Sequence, residues 1–307
     1  MGGKIITSFL FILLVISLLS FYWFIPIKTT NFKELKAGFS NNYNFSVGGL
    51  NSLKDTQFYE NMRYPDNNIS YKIYSCPVKK RYDMINAFED MSNLTILNFY
   101  PVDFNEEISV NCNSKNKIEE GLFIAGEGGP SNITKIENFN IIIKGTILLL
   151  KDVGCGKPIV QTHELLHSLG FNHSNNPNNI MYPIAKCGQT VGDEIPSLIN
   201  KLYSINSYPD LVLENVSAIM NGKYLDINIS VRNNGLKKSE TAKIIIYADE
   251  KKIKEIPFKG LGIGYGRKII LSNIWVPKIS IKEIKVVLDY NLNELSKDNN
   301  QVLLIIS

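Results

Sequence analysis

Residues 163 to 173 read His163-Glu164-Leu165-Leu166-His167-Ser168-Leu169-Gly170-Phe171-Asn172-His173, an HExxHxxGxxH run that holds all three histidines of the 307-residue chain. Positions four apart on a helix lie one turn apart on the same face, so His163 and His167 can offer imidazole nitrogens to one metal ion. Glu164 then stands beside the ion rather than binding it, where a general base for a nucleophilic water is needed. Gly170 can take the left-handed conformation that ends a helix without a Cβ penalty, which turns the chain and brings His173 back as a third ligand. Three nitrogens leave a fourth tetrahedral position open, the mark of a catalytic zinc site rather than a closed structural one. A bare HExxH can be a solvated helix face, but the added glycine and third histidine at fixed spacing make coincidence rare.

The elements that must position this motif are also legible. Pro158 fixes the first turn of its helix, and Ile159, Val160, Leu166 and Leu169 give that helix apolar surface for packing. Upstream, Tyr64-Pro65-Asp66 leads into an alternating strand from Ile69 to Tyr74, and Arg81 to Asn93 carries Met84, Ile85, Phe88 and Met91 at helical spacing. Ile96 to Tyr100 and Glu107 to Asn111 read as further strands, and Ile141 to Leu150 is a nearly continuous apolar run suited to a buried strand.

In these residues the chain resembles the metzincin clan of zinc metallopeptidases, and within it the matrixin-like branch, over about residues 58 to 205. The run Ser174-Asn175-Asn176-Pro177-Asn178-Asn179-Ile180-Met181-Tyr182-Pro183 is similar to the clan's Met-turn. The resemblance implies that Met181 supports the zinc site without ligating it, and that Tyr182 and Pro183 wall the pocket for the residue after the scissile bond. It also implies one catalytic Zn2+, a protein or peptide substrate, and a closing helix over Gln189 to Tyr203. The chain departs from the family in two ways: no histidine remains for a second, structural zinc, and no propeptide with the family's cysteine switch is present. Cys155-Gly156 lies eight residues before His163 and reads better as half of a disulfide. Calcium has only Asp- and Asn-rich loops to offer it oxygens, with no EF-hand-like spacing.

From Tyr208-Pro209-Asp210 onward the composition changes to short alternating runs without His or Cys. Leu225, Ile227, Ile229 and Val231 alternate with polar residues up to a turn at Asn233-Asn234-Gly235. Lys243 to Ala248, Lys252 to Ile256, Arg267 to Trp275, Ile284 to Asp289 and Val302 to Ile306 follow, giving about seven strands, as in an Ig-like sandwich. Pro209-Asp210-Leu211, Val231-Arg232-Asn233-Asn234-Gly235 and the closing Asp289-Tyr290-Asn291 through Glu294 to Asp298-Asn299-Asn300 resemble the CARDB family of adhesion-related extracellular domains.

With 33 basic and 29 acidic residues the net charge is +4, too small and dispersed for a nucleic-acid footprint. Ile5 to Ile27 carries no charged residue, so it is expected to span a bilayer, with the short Lys4 side in the cytoplasm and the bulk of the chain outside. The four cysteines would lie in that oxidising space. Three connectivities are open, and Cys155 with Cys187 plus Cys76 with Cys112 is the expected one, because the first pair would bracket the metal motif.

The expected fold class is an α+β metzincin-like catalytic domain, a twisted mixed sheet plus the active-site helix, followed by an all-β Ig-like sandwich and preceded by an N-terminal transmembrane helix. The expected domains are an anchor at 1–28, a linker or stalk at 29–57, the peptidase at 58–205 and the sandwich at 209–307. The expected function is that of a single-pass, outward-facing zinc endopeptidase of the cell membrane, with Glu164 as general base and the sandwich open to a surface partner. The alternative is an adhesion protein whose peptidase-like domain binds metal without catalysis; retention of Glu164 argues against it.

Overall fold

A computed structural model describes residues 8–17, 29–34, 56–114, 117–119, 122–278 and 280–307. The expected transmembrane helix is not supported. The apolar helix α1 covers residues 8–17, and no helix among the described residues is long and apolar enough to cross a membrane. At 1.5 Å per residue it extends about 15 Å, half of a hydrocarbon core of about 30 Å. The rest of the expected span, residues 5–7 and 18–27, lies outside the described residues, and the membrane placement drawn from it is left without support.

The second correction concerns residues 29–57. Instead of a linker throughout, Thr29–Glu34 forms strand β1, which belongs to the C-terminal sandwich described below.

The catalytic-type region opens with β2 (Met62–Arg63), β3 (Asn68–Ile73), helix α2 (Val78–Leu94), β4 (Asn98–Pro101) and β5 (Ile108–Cys112). A small ladder of β6 (Ile118–Glu119) and β7 (Leu122–Phe123) leads to β8 (Gly126–Lys135) and β9 (Asn140–Leu149). The sheet order is β2-β9-β5-β3-β4, with every one of these pairs parallel. β8 runs antiparallel along the other side of β9, and its outer edge pairs with no further strand among the described residues. Helix α2 buries Met84, Ala87, Phe88 and Met91, one face at helical spacing, against the sheet. Phe88 stacks on Tyr71 at 4.0 Å between ring centroids. Helices α3 (Ile159–Ser168) and α4 (Glu194–Tyr203) complete the core. The fully buried Arg63 closes this layer: its Nε donates to the Tyr64 carbonyl at 3.0 Å, and its Nη1 donates to the carbonyls of Leu202 and Ile205 at the end of α4. The guanidinium also lies over the Tyr203 ring at 4.3 Å.

The sandwich contains β10 (Leu211–Asn221), β11 (Tyr224–Asn233), β12 (Ala242–Ala248), β13 (Lys251–Phe258), β14 (Gly266–Trp275), β15 (Glu283–Asp289) and β16 (Gln301–Ile306). Alternating burial along β11 and β12 places Leu225, Ile227, Ile229, Val231, Ile244 and Ile246 in one core. All ladders are antiparallel, in the order β13-β12-β15-β16-β1-β10-β11-β14. β1 therefore joins two groups of strands, pairing Phe32 with Ala218 on one side and with Ile306 on the other. Phe32 is 4% exposed and part of the sandwich core, whereas its neighbours Lys33 and Glu34 face solvent. A lone buried aromatic in a six-residue segment leaves no alternation to detect, and its partners lie far along the chain.

Of the described residues, 42% are in strands and 18% in helices, so the fold is mostly β, and the expected N-terminal transmembrane helix is not supported. A third apolar cluster joins the two regions: Ile136, Phe139 and Ile141 from the β8–β9 hairpin meet Leu236 of the sandwich, with Ile205, Ile263 and Leu295 around them.

Candidate metal centre

Helix α3 ends where the sequence requires it. Gly170 has φ +94°, its N–H donates to the His167 carbonyl at 2.9 Å, and Phe171 N–H reaches back to Leu166 O at 3.0 Å. A Cβ at Gly170 would lie 2.9 Å from the Cβ of Met62, so both backbone angle and packing demand glycine. The returning chain pairs with residues 56–58: Asn172 N–H donates to Thr56 O at 2.8 Å, and Phe58 N–H to Gly170 O at 2.9 Å. Phe58 stacks against the His167 ring at 5.7 Å.

Two carbonyls orient two of the histidines. His163 Nδ1 donates to Ile180 O at 2.6 Å, and His167 Nδ1 donates to Phe171 O at 2.8 Å. With each Nδ1 committed as a donor, each Nε2 presents a lone pair. His167 Nε2 lies 3.0 Å from His163 Nε2 and 3.1 Å from His173 Nε2. The two lone pairs of His163 and His167, only 3.0 Å apart with His173 Nε2 at 3.1 Å, repel one another unless a cation lies among them. Zn–N bonds of about 2.0–2.1 Å at tetrahedral angles would space the nitrogens roughly 3.3 Å apart, so the donor set fits zinc.

Burial, followed by the neighbouring His163, holds His167 down to about 4, and burial also lowers His163 and His173. A histidine whose folded value is depressed contributes stability above its unfolded value of about 6.5 and loses it as pH falls toward the folded value. Metal-stripped protein should therefore lose about 1.4 kcal/mol per pH unit from His167 between about pH 6.5 and 4. Chemical unfolding of chelator-treated protein at a series of pH values checks this; a flat profile across that window would contradict the histidine environment described.

Glu164 is 5% exposed, and burial, reinforced by the negative Glu127, raises its carboxyl to about 8. Strand β8 passes directly over it: a Cβ at Gly126 would come within 2.7 Å of Glu164 Cγ and 2.8 Å of its Oε1. Gly126→Val should therefore displace the Glu164 side chain without touching the histidines. The expected result is at least a tenfold loss of whatever activity Glu164 supports, since small misplacements of reacting groups carry large penalties, with zinc content unchanged. Sequence reasoning missed β8 because Gly126-Glu127-Gly128-Gly129-Pro130 reads as a loop. It also missed Phe58 and the two anchoring carbonyls.

After His173 the chain turns back through residues 174–183. Met181 is 1% exposed within the core, its N–H bonds to Asn179 Oδ1 at 2.8 Å, and its carbonyl accepts from Ser174 N–H at 2.8 Å. The preceding residue, Ile180, supplies the carbonyl that orients His163. Tyr182 is half-buried and Pro183 exposed. Disulfides join Cys76 to Cys112 and Cys155 to Cys187, and the second ties the segment before α3 to the segment after the turn. Among the described residues, the three histidines are a group of His, Cys, Asp or Glu side chains whose ligand atoms all lie within 4.8 Å of one another.

Residues 143–200 match the Matrixin family model. The matrixin-like segment thus includes the zinc motif, the turn and most of α4. Residues 208–303 match the CARDB family model. The macrophage metalloelastase of Rattus norvegicus is 31% identical over 140 residues, which cover 39% of this chain and 28% of that protein. The chain thus spans little more than a quarter of the length of this relative. Among solved structures, the CARDB domain of a Pyrococcus furiosus protein in complex with di-metal ions has 19% identity, covering 32% of this chain and 88% of that one, with a TM-score of 0.27. High choriolytic enzyme 1, a hatching enzyme zinc-protease from Oryzias latipes, has 22% identity over 36% of this chain and 46% of that chain, with a TM-score of 0.22.

Proposed function

We propose that this chain is a zinc-dependent endopeptidase in which His163, His167 and His173 hold one catalytic zinc and Glu164 is the general base. The observation that carries the proposal is the convergence of three histidine Nε2 atoms within 3.0–3.1 Å contacts, beside a buried glutamate on the same helix. Zinc bound there would supply Lewis acidity and lower the pKa of water to about 7. The positive charge would also oppose the burial that raises Glu164, favouring its carboxylate form. Glu164 accepts the proton of the attacking water and returns it to the departing amine.

The edge of β8 that pairs with no strand among the described residues is suited to an extended substrate, because backbone N–H and C=O groups can pair with a peptide of any sequence. Gly126 on that strand brings the peptide's path close to Glu164. Tyr182 and Pro183 would wall the pocket for the residue after the cleaved bond. The two disulfides support an oxidising, extracytoplasmic setting. The sandwich would position the peptidase or bind a surface partner.

The test is incubation of the zinc-loaded protein with an unfolded protein, with products identified by mass spectrometry. Internal peptide-bond cleavage is expected, and a zinc chelator should abolish it. A folded, zinc-loaded protein that leaves a panel of unfolded proteins intact would contradict the proposal.

A further inference from the structure

A second cluster of oxygen donors lies away from the histidines, where the sandwich begins. Asp210 is 8% exposed and Glu294 is half-buried. Asp210 Oδ1 accepts from Asn299 Nδ2 at 3.0 Å, and Glu294 Oε2 accepts from Asn300 Nδ2 at 2.6 Å. The other Glu294 oxygen accepts from Leu211 N–H at 2.9 Å. On both amides the remaining oxygen is orphaned: Asn299 Oδ1 and Asn300 Oδ1 are buried without a hydrogen-bond partner. Asn300 is itself 8% exposed, so bulk water does not explain its orphaned oxygen. Two such atoms on consecutive residues, each amide set against a different carboxylate, form a pattern that calls for a ligand.

The charges point the same way. Burial holds both carboxyls above their usual range, with Glu137 adding to the effect at Asp210 and Asp210 adding to it at Glu294. Among the described residues, no Lys or Arg forms an ion pair with either. Lys297 acts on Glu294 only from beyond ion-pair distance, so two buried carboxylates, with two orphaned amide oxygens beside them, have no directly bound cation.

We propose that Asp210, Glu294, Asn299 and Asn300 form a binding site for a hard divalent cation, calcium by preference. A half-turn of each amide would put its oxygen in the place of the nitrogen now 3.0 or 2.6 Å from a carboxylate oxygen, separations that two oxygens keep when they share a cation. The donors are all oxygen, with neither imidazole nor thiolate, which selects against zinc. They come from an irregular loop, which suits calcium's tolerance of variable geometry better than magnesium's strict octahedron. The site joins the start of β10 to residues 294–300, and Leu295 N–H also donates to Pro209 O at 3.0 Å. Leu295 packs beside the apolar cluster between the two regions, and Glu137 belongs to the hairpin that supplies that cluster. Cation binding would therefore brace the peptidase region against the sandwich.

The test uses the full chain, freed of calcium on a chelating resin and reloaded with one equivalent of zinc, and measures its melting temperature against added calcium chloride. The parent should melt several degrees higher with calcium, with half-saturation at about 0.1–1 mM, the range of extracellular calcium modules. Glu294→Gln should weaken that response at least about tenfold, because affinity follows ligand charge. Asn300→Asp adds a carboxylate, so it should melt lower than the parent without calcium, regain stability with calcium, and bind calcium about tenfold more tightly. This second variant keeps the test decisive if Glu294→Gln fails to fold. A parent that shows no calcium response, an unchanged response in Glu294→Gln, or an Asn300→Asp protein that calcium does not rescue would each overturn the site.

Discussion

Replacing Glu164 by Gln should lower peptide hydrolysis by about a hundred- to ten-thousandfold, the range a positioned general base contributes, while leaving zinc bound. Gln has nearly the same shape as Glu, so the close approach of Gly126 to this side chain is undisturbed. The histidines do not depend on Glu164 for orientation: His163 and His167 are held by the carbonyls of Ile180 and Phe171. What changes is the ability to accept a proton, and an amide has none. The loss should therefore appear in kcat, with KM and zinc content close to those of the parent. Steady-state kinetics and elemental analysis on the same preparations check this. A drop in zinc content to match the drop in rate would mean that Glu164 acts in binding the metal instead.

Phe32→Ala should destabilise the sandwich by about 3–5 kcal/mol, as expected for removing a buried aromatic side chain. Phe32 belongs to the strand that pairs with β10 on one edge and β16 on the other, so its removal loosens the join between two groups of strands. In a linker the same substitution would have an effect near zero. Urea unfolding with Trp275 fluorescence as the signal of the sandwich distinguishes the two. A midpoint unchanged from the parent would contradict the packing of β1. The matrixin-like region lies between the first strand of the sandwich and the rest of it, so sandwich stability bears directly on how that region is held.

The parts legible in the sequence are those whose geometry is local. His163, Glu164 and His167 share one helix, and Gly170 and His173 follow within one turn's reach, so the spacing contains the site. Strands β11 and β12 announce themselves by alternation because one face is buried and the other wet. The rest depended on partners remote in sequence. The Ile180 and Phe171 carbonyls that set the histidine tautomers belong to the backbone and carry no residue signature. β8 is a strand despite three glycines and a proline because pairing with β9 and close approach to α3 outweigh local propensity. β1 depends on strands nearly two hundred residues away or more.

The most direct test of a three-histidine catalytic zinc is a reconstitution titration: strip the folded protein of metal, add zinc in fractions of an equivalent, and follow cleavage of an unfolded protein at each step. Activity should rise linearly and level off at one zinc per chain, and His167→Ala should show no such rise. Activity that is present before zinc is added, or that survives in the metal-stripped His167→Ala protein, would contradict the account.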